Sequence, residues 1–463
     1  MQPEGEASRK VEGLRAQYPV FYYESFAIEP TDSSLRLRFD YRVPPDLKFT
    51  THTVLEHLPD NWQQIPRPVV ENLVLHLGLI ESFSYWKATC SPSIAINAGA
   101  LDDKQLAWWK DLLLHGMREF FYVNKIDFTG EDFVKLSVCD SRIVRAYDQP
   151  LSNRSLIPIG GGRDSAFTAR VFQQAAKPFG CMLLNPIPAA QRIASAAGCD
   201  QPVVVHRTLD ARLLKLNQAG YLNGHTPFSA MLAFLSAICL AVYDYSYTVI
   251  ANERSSDEGN TVFLGKKINH QYSKSFAFEE KFDQYLRNYL LKNARYFSFV
   301  RPLYELQIGR AFASYPEMFS AFRSCNRNQK SDSWCGACPK CLSVFITSYP
   351  FVSDTDLIRM FGSDFFQNES SLPIIRQLAG LDEHKPFECV TTFDEAIASL
   401  HLCIEKCEKE GKRLPVALRY ARESILSGDG RAAEIAARVL SNDDSRHRIP
   451  VEFEKLLRAA VRE

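Results

Sequence analysis

The sequence predicts an α/β protein built on a central, doubly wound parallel sheet, with an α+β region before it and a helical region after it. Three observations carry this expectation. Between residues 151 and 350, short apolar segments alternate with helical patterns, as they do when helical crossovers lay strands parallel. The first of those segments, Leu156-Ile157-Pro158-Ile159, runs straight into three glycines. After about residue 350 the pattern is helical. The expected division is 1–150, 151–350 and 351–463, since a 463-residue chain is too long for one ordinary core.

Residues 21–58 read as strands. Residues 34–41 alternate apolar and polar, the period of a half-buried strand. Pro30-Thr31-Asp32-Ser33 is a turn before that strand, Pro44-Pro45-Asp46 closes it, and 49–55 forms another. Helical patterns follow at 67–82 and 102–121. In the central region a strand at 156–159 leads through the glycines into a helix at 164–176. Further strands are expected at 181–184, 203–206, 247–251 and 297–300. The longest apolar run, 228–243, is interrupted by Ser229 and Ser236 and is short for a membrane span, so it reads as a buried helix. The last helices are expected at 393–410, 415–426 and 431–439. There is no internal repeat and no low-complexity tract.

Lys+Arg and Asp+Glu both total 54, so the formal net charge is zero. This argues against a dedicated nucleic-acid binder, which carries a basic excess. Residues 1–15 are polar and lack the apolar core of a secretory signal, so a cytoplasmic protein without a membrane anchor is expected. In that compartment the 12 cysteines are expected to be thiols or metal ligands rather than disulfides.

The glycine loop carries the sharpest chemistry. Gly160, Gly161 and Gly162 let the backbone approach an anion and adopt positive φ. Arg163, Asp164 and Ser165 follow, and a helix begins there whose free N–H groups and dipole favour a phosphate. Ser165 adds a hydroxyl. Asp164 would repel phosphate directly, so its useful role is to hold Mg²⁺. Arg163 either pairs with a phosphate or is solvated. No Walker loop is present: Gly265-Lys266 is followed by Lys267 and lacks the spaced first glycine. The segment resembles the S-G-G-x-D-S loop of PP-loop ATP pyrophosphatases, with Gly160 in place of the first serine and one hydroxyl contact fewer. Phe299-Val300-Arg301-Pro302-Leu303, after the last strand, is also similar to that superfamily.

Cys325, Cys335, Cys338 and Cys341 form C-x9-C-x2-C-x2-C. The two-residue gaps let successive thiolates face one ion, and Gly336 and Pro339 suit the knuckle. Four thiolates fit a closed structural Zn²⁺ site, with an Fe–S cluster as the rival that spacing alone does not remove. The arrangement resembles the zinc site that follows the PP-loop domain of 7-cyano-7-deazaguanine synthase. The other eight cysteines read mostly as small core residues.

Several further segments carry a more specific resemblance. They are Tyr22-Tyr23-Glu24-Ser25-Phe26, Ser84-Tyr85-Trp86-Lys87-Ala88-Thr89-Cys90-Ser91-Pro92, Asn223-Gly224-His225-Thr226-Pro227 and Asn252-Glu253-Arg254-Ser255. To these add Asn269-His270-Gln271-Tyr272-Ser273-Lys274-Ser275 and Lys385-Pro386-Phe387-Glu388-Cys389-Val390. With the glycine loop and the knuckle, they resemble the UDP-N-acetylmuramoyl-L-alanyl-L-glutamate epimerases, the MurL family, over roughly residues 20–440. The resemblance implies inversion of the terminal L-glutamate of UDP-MurNAc-L-Ala-L-Glu, for peptidoglycan. It also implies that ATP becomes AMP and pyrophosphate with Mg²⁺ present, through a carboxyl adenylate.

For the acid and base, His225, Glu253, His270 and Lys274 are the candidates by chemistry. Each imidazole reads equally as a buried structural group. Glu253, after a strand end, reads as a ligand for Mg²⁺ or substrate, or as a helix cap or ion-pair partner. Cys90 and Trp86 read as structural before they read as a base or a stacking platform. The rival functions are an adenylate-forming carboxylate ligase or amidotransferase, an RNA-thiolating PP-loop enzyme, and a non-catalytic zinc-stabilised binding protein. A ligase would join an amine to the product. Thiolation needs a relay cysteine and a basic face, which zero net charge does not favour.

Overall fold

A computed structural model describes residues 4–140, 144–426, 430–442 and 444–462 of the chain. Twelve strands are present among them: β1 (Val20–Pro30), β2 (Ser34–Val43), β3 (Leu47–Glu56), β4 (Ser93–Ala100), β5 (Lys135–Asp140), β6 (Ser155–Pro158), β7 (Phe179–Leu184), β8 (Val203–Thr208), β9 (Tyr247–Ile250), β10 (Thr261–Phe263), β11 (Lys266–Ile268) and β12 (Arg295–Ser298). Ten of them form one sheet in the order β12-β9-β6-β7-β8-β3-β2-β1-β4-β5, and β10 and β11 make a separate hairpin.

The half from β12 to β8 is parallel throughout. Its strands are short and apolar because both faces are covered by helices. The other half is mixed. β1, β2 and β3 form an antiparallel meander, and β4 and β5 run parallel beyond β1. The halves are joined where β3 pairs antiparallel with β8, from His52 opposite Thr208 to Leu55 opposite Val205. The strands of 20–56 therefore belong to the same sheet as the strands that follow the glycines.

The expected alternation in β2 is realised. Leu35, Leu37, Phe39, Tyr41 and Val43 are buried, and the residues between them face outward. They pack beneath the helix Arg67–Trp86, to which Tyr41 donates a 2.6 Å hydrogen bond at the Gly78 carbonyl. The apolar run forms the helix Phe228–Tyr243, buried against Arg67–Trp86. No helix among the described residues is long and apolar enough to cross a membrane.

Three local expectations change. The helix expected at 102–121 is two helices, Asp103–Gly116 and Arg118–Val123, the first opened by an Asp102–Gln105 capping box. β4 and β5 are strands in segments given no assignment from sequence; β4 reads SIAINAGA, where alanine and glycine dilute the strand signal. Cys181 and Cys199 are disulfide-bonded instead of free.

Beyond residue 350 the described residues form helices without strands, including Phe393–Lys409, Val416–Ser424 and Val451–Arg462. The helix Glu305–Phe312 crosses the helix Pro339–Ser348 at Gly309. A Cβ there would stand 2.1 Å from the Thr347 carbonyl oxygen, which is backbone and cannot turn aside. Gly309→Ala is therefore expected to cost about 1–3 kcal/mol through overpacking, read as a lower thermal unfolding midpoint.

Candidate active site

Strand order reverses at β6, with β7 and β8 on one side and β9 and β12 on the other. In open α/β sheets such a reversal opens a crevice at the carboxyl ends of the strands. The glycine loop leaves β6 there and turns into the helix Arg163–Gln174. Gly161 has φ +92°, and a Cβ on it would press on Ile187 and Ala189 at 3.1 and 3.2 Å. Gly160 is exposed and faces open space, so a ligand can approach its backbone.

The loop is tied to the segment before the first knuckle cysteine. The Arg323 amide donates to the Gly161 carbonyl at 2.8 Å, and the Arg163 amide donates to Ser324 Oγ at 3.3 Å. Ser165 Oγ donates to the Gly162 carbonyl at 3.0 Å. The Arg163 guanidinium is neither solvated nor free for phosphate. It is 1% exposed and is held by Thr347 Oγ1 at 2.7 Å, the Glu305 carbonyl at 3.0 Å and Asp164 Oδ1 at 3.3 Å. Arg163 is a strut behind the loop.

A cleft of about 630 Å³ opens over the loop and gathers the sequence-predicted residues. Gly160, Gly162, Asp164 and Ser165 line one part of it; His225, Glu253, His270 and Lys274 line another. Glu253 is 2% exposed, and its Oε1 has no hydrogen-bond partner. Burial raises its pKa, and the nearby Glu305 and Asp164 carboxylates raise it further. A cation beside Glu253 and Asp164 would supply the missing partner, so this pair fits a site for Mg²⁺.

The two imidazoles stand edge to face, their centroids 5.9 Å apart. The Asn260 amide group donates to the Pro386 carbonyl at 2.7 Å, which leaves its oxygen to accept from His270 Nδ1 at 3.0 Å. His270 is thereby fixed with a bare Nε2, and that buried atom has no partner. His76 makes the contrast: its Nδ1 donates to the Asn72 carbonyl at 2.7 Å, and its Nε2 is satisfied by the Tyr285 hydroxyl at 2.8 Å. Burial, then His225 and Lys274, pulls the His270 pKa down to about 2; burial, then Lys274 and Lys87, pulls His225 down to about 4. Both rings are neutral near pH 7. Burial lowers the pKa of Lys274, but Cys389 and Glu253 outweigh it and raise the net value.

Other groups in the cleft carried no recognised chemical signal in the sequence. Lys340 points to Glu305 Oε1 at 2.8 Å, and burial is outweighed by Glu305 and Asp164, so its pKa is raised. Its position between Cys338 and Cys341 was the available clue. Arg207 reaches the cleft while paired with Glu81 at 2.5 and 2.6 Å. Cys90 and Trp86 are core residues; Trp86 Nε1 donates to the Ser91 carbonyl at 2.9 Å, and burial pushes the Cys90 thiol up to about 12.

The Sγ atoms of Cys325, Cys335, Cys338 and Cys341 all lie within 4.8 Å of one another. Tetrahedral Zn–S bonds of about 2.3 Å place sulfurs about 3.8 Å apart, and Cys335 and Cys341 are 3.7 Å apart. A multi-iron cluster would sit between its thiolates and spread them. Backbone amides of Asn328, Ala337 and Cys341 donate to three of the sulfurs, and Gly336 turns the knuckle at φ +62°. The set fits one four-coordinate ion of zinc's size.

Residues 13–299 match the family model for the MurL N-terminal domain, and residues 321–432 match that for the MurL C-terminal domain. The chain is 30% identical over 398 residues to UDP-N-acetyl-alpha-D-muramoyl-L-alanyl-L-glutamate epimerase of Xanthomonas oryzae pv. oryzae, covering 84% of this chain and 86% of that protein. It is 31% identical over 334 residues to the epimerase of the same name from a Micromonospora species, covering 71% and 74%. Against that from Salinispora tropica the identity is 30% over 375 residues, covering 80% and 81%.

Two outcomes follow from the geometry. Elemental analysis of the purified protein is expected to find zinc that Cys338→Ala lacks, and that variant is expected to speed hydrogen exchange at residues 160–163, which the knuckle's neighbours hold. The second concerns pH. The His225 pKa is lowered from 6.5 to about 4, so its stabilising contribution is complete above pH 6.5 and is lost as pH falls through 4. His225→Gln should therefore lose less thermal stability than the parent between those two pH values.

Proposed function

The chain belongs to the MurL epimerase family, and from that premise we propose that it inverts the α-carbon of the terminal L-glutamate of UDP-MurNAc-L-Ala-L-Glu to give the D-glutamate form for peptidoglycan. In this reading ATP first adenylates the substrate carboxylate, and AMP and pyrophosphate are released. The observation that carries it is the meeting, in one cleft at the strand-order reversal, of a glycine loop on a helix N-terminus with two neutral imidazoles. One set suits a nucleotide phosphate; the other suits movement of a proton.

The chemistry needs both. An α-proton beside a carboxylate anion is very weakly acidic. A positioned base supplies about 10²–10⁴-fold, or about 3–5 kcal/mol, which leaves most of that barrier standing. Adenylation removes the carboxylate charge, and the electron pair left by the proton can then spread into the carbonyl. In this reading the amides of Gly160–Gly162 and the hydroxyl of Ser165 cradle pyrophosphate, and Asp164 with Glu253 would hold Mg²⁺, whose charge would neutralise phosphate oxygens. Lys274 and Lys340 place positive charge where the adenylate and the enolate develop negative charge. His270, with its bare Nε2, and His225 serve proton movement on the other wall.

The parallel half supports a PP-loop ATP pyrophosphatase type: numbered from β6, its five strands lie in the order 3-2-1-4-5. We assign residues 1–150 to substrate recognition, 151–350 to the nucleotide and the zinc knuckle, and 351–463 to a helical buttress. In this reading the enzyme works in the cytoplasm, where ATP and a UDP-linked precursor would be its partners.

The test is incubation with ATP, Mg²⁺ and UDP-MurNAc-L-Ala-L-Glu in D₂O. AMP, pyrophosphate and α-deuterated D-glutamate are expected. AMP without inversion, or an amine joined to the product, would move the reading to a ligase; no AMP from folded protein would return it to a binding protein. Asp164→Ala is expected to cut AMP formation by about 10²-fold, measured as initial rate.

A further inference from the structure

Cys389 is the free thiol in the cleft among the described residues. Cys90, Cys239, Cys403 and Cys407 are in the core, Cys139 is at the sheet edge, four sulfurs are in the knuckle and two are bonded to each other. Lys274 Nζ donates to its Sγ at 3.1 Å. That bond fixes the sulfur beside the cleft, and a cysteine sulfur can act as a base as well as a nucleophile.

The thiol is also held firmly. The Pro386 carbonyl accepts from Asn260, which also fixes the His270 ring. Glu388 Oε2 accepts from the Lys340 amide at 3.0 Å and from Asn326 Nδ2 at 2.9 Å. The Thr391 amide donates to Ser343 Oγ at 3.0 Å. Phe387 lies edge-on to His270, its ring 6.2 Å away. A proton-transfer group needs such support, because small displacements cost large factors in rate. Two deeply buried, unpartnered atoms in the same cleft, His270 Nε2 and Glu253 Oε1, point independently to a polar ligand beside it.

We infer that Cys389 is a catalytic residue of the epimerisation, its Sγ taking the α-proton of the substrate glutamate, with Lys274 as its positioning residue. The inference rests on the adenylation reading proposed above. As the S–H bond forms and the Cα–H bond breaks, the C–H electron pair enters the Cα–carbonyl bond and a π pair moves onto the carbonyl oxygen. A solvent-derived proton reaches the opposite face of Cα and restores the carbonyl. The thiol then releases its proton to solvent, so no net proton is gained or lost. The Lys274 ammonium balances the thiolate before and after the step.

The experiment measures pyrophosphate release and α-proton exchange separately in D₂O, on Cys389→Ala, Cys389→Ser and the parent. Cys389→Ala is expected to release pyrophosphate within a few-fold of the parent while exchange and inversion fall by about 10²–10⁴-fold. Lys274→Met should lower α-proton exchange and inversion more than pyrophosphate release, and Lys274→Arg should restore them. Cys389→Ala that inverts at the parental rate overturns the inference. So does a folded variant that loses pyrophosphate release and exchange together, since the thiol would then serve binding. If the alanine variant fails to fold, Cys389→Ser decides by the same two readouts. Failure of the adenylation reading looks different: the parent itself would release no pyrophosphate, whatever stands at 389.

Discussion

The carboxylate of Glu305 is the point on which the site's architecture depends. It is completely buried, and it accepts from Lys340 at 2.8 Å and from Ser343 at 3.1 Å, with Arg163 at 3.7 Å. Burial alone would raise its pKa, but Lys340 and Arg163 more than offset this and keep it ionised. Three pieces of chain meet there: the helix after the glycine loop, the helix after the knuckle, and Glu305–Phe312. A buried charge network is costly to break, about 3–5 kcal/mol when one partner is removed, because the remaining charge has no water to turn to. The glycine loop and the cleft lysine are therefore set by one constraint.

The knuckle contributes to the same constraint from the other side. Arg323 and Ser324, just before Cys325, hold the backbone of the glycine loop, and Lys340 lies between Cys338 and Cys341. A metal held by the four sulfurs would thus help set where the loop and an ammonium stand. Cys389 is placed by the same set, since the Lys340 amide donates to Glu388.

What the sequence made legible was local. The parallel half shows as apolar strands alternating with helices, the loop as consecutive glycines after a strand, and the knuckle as cysteine spacing, because each signal lies within a few residues. The union of both halves in one sheet rests on β3 meeting β8, which pairs Val54 with His206, and no local pattern encodes that. Arg163 misled for a related reason: beside three glycines at a helix start it looks like a phosphate ligand, and only the packing of distant helices shows that its guanidinium is consumed. His270 was visible as a candidate, but the partner that frees its Nε2 is Asn260, whose own amide is fixed by Pro386, more than a hundred residues on. Cys389 lay in a segment noted for resemblance, yet nothing nearby linked it to Lys274.

The continuous ten-stranded sheet also limits how the molecule can breathe. Among the described residues the halves are joined by continuous backbone pairing from β12 to β5, and a hinge at β3–β8 would rupture several strand hydrogen bonds at once. The β10–β11 hairpin stands outside that sheet, beside the Asn260 and His270 that the 386–391 stretch holds in place. A protein built this way sets its cleft on a fixed floor, and the sheet that forms the floor resists large-scale closure.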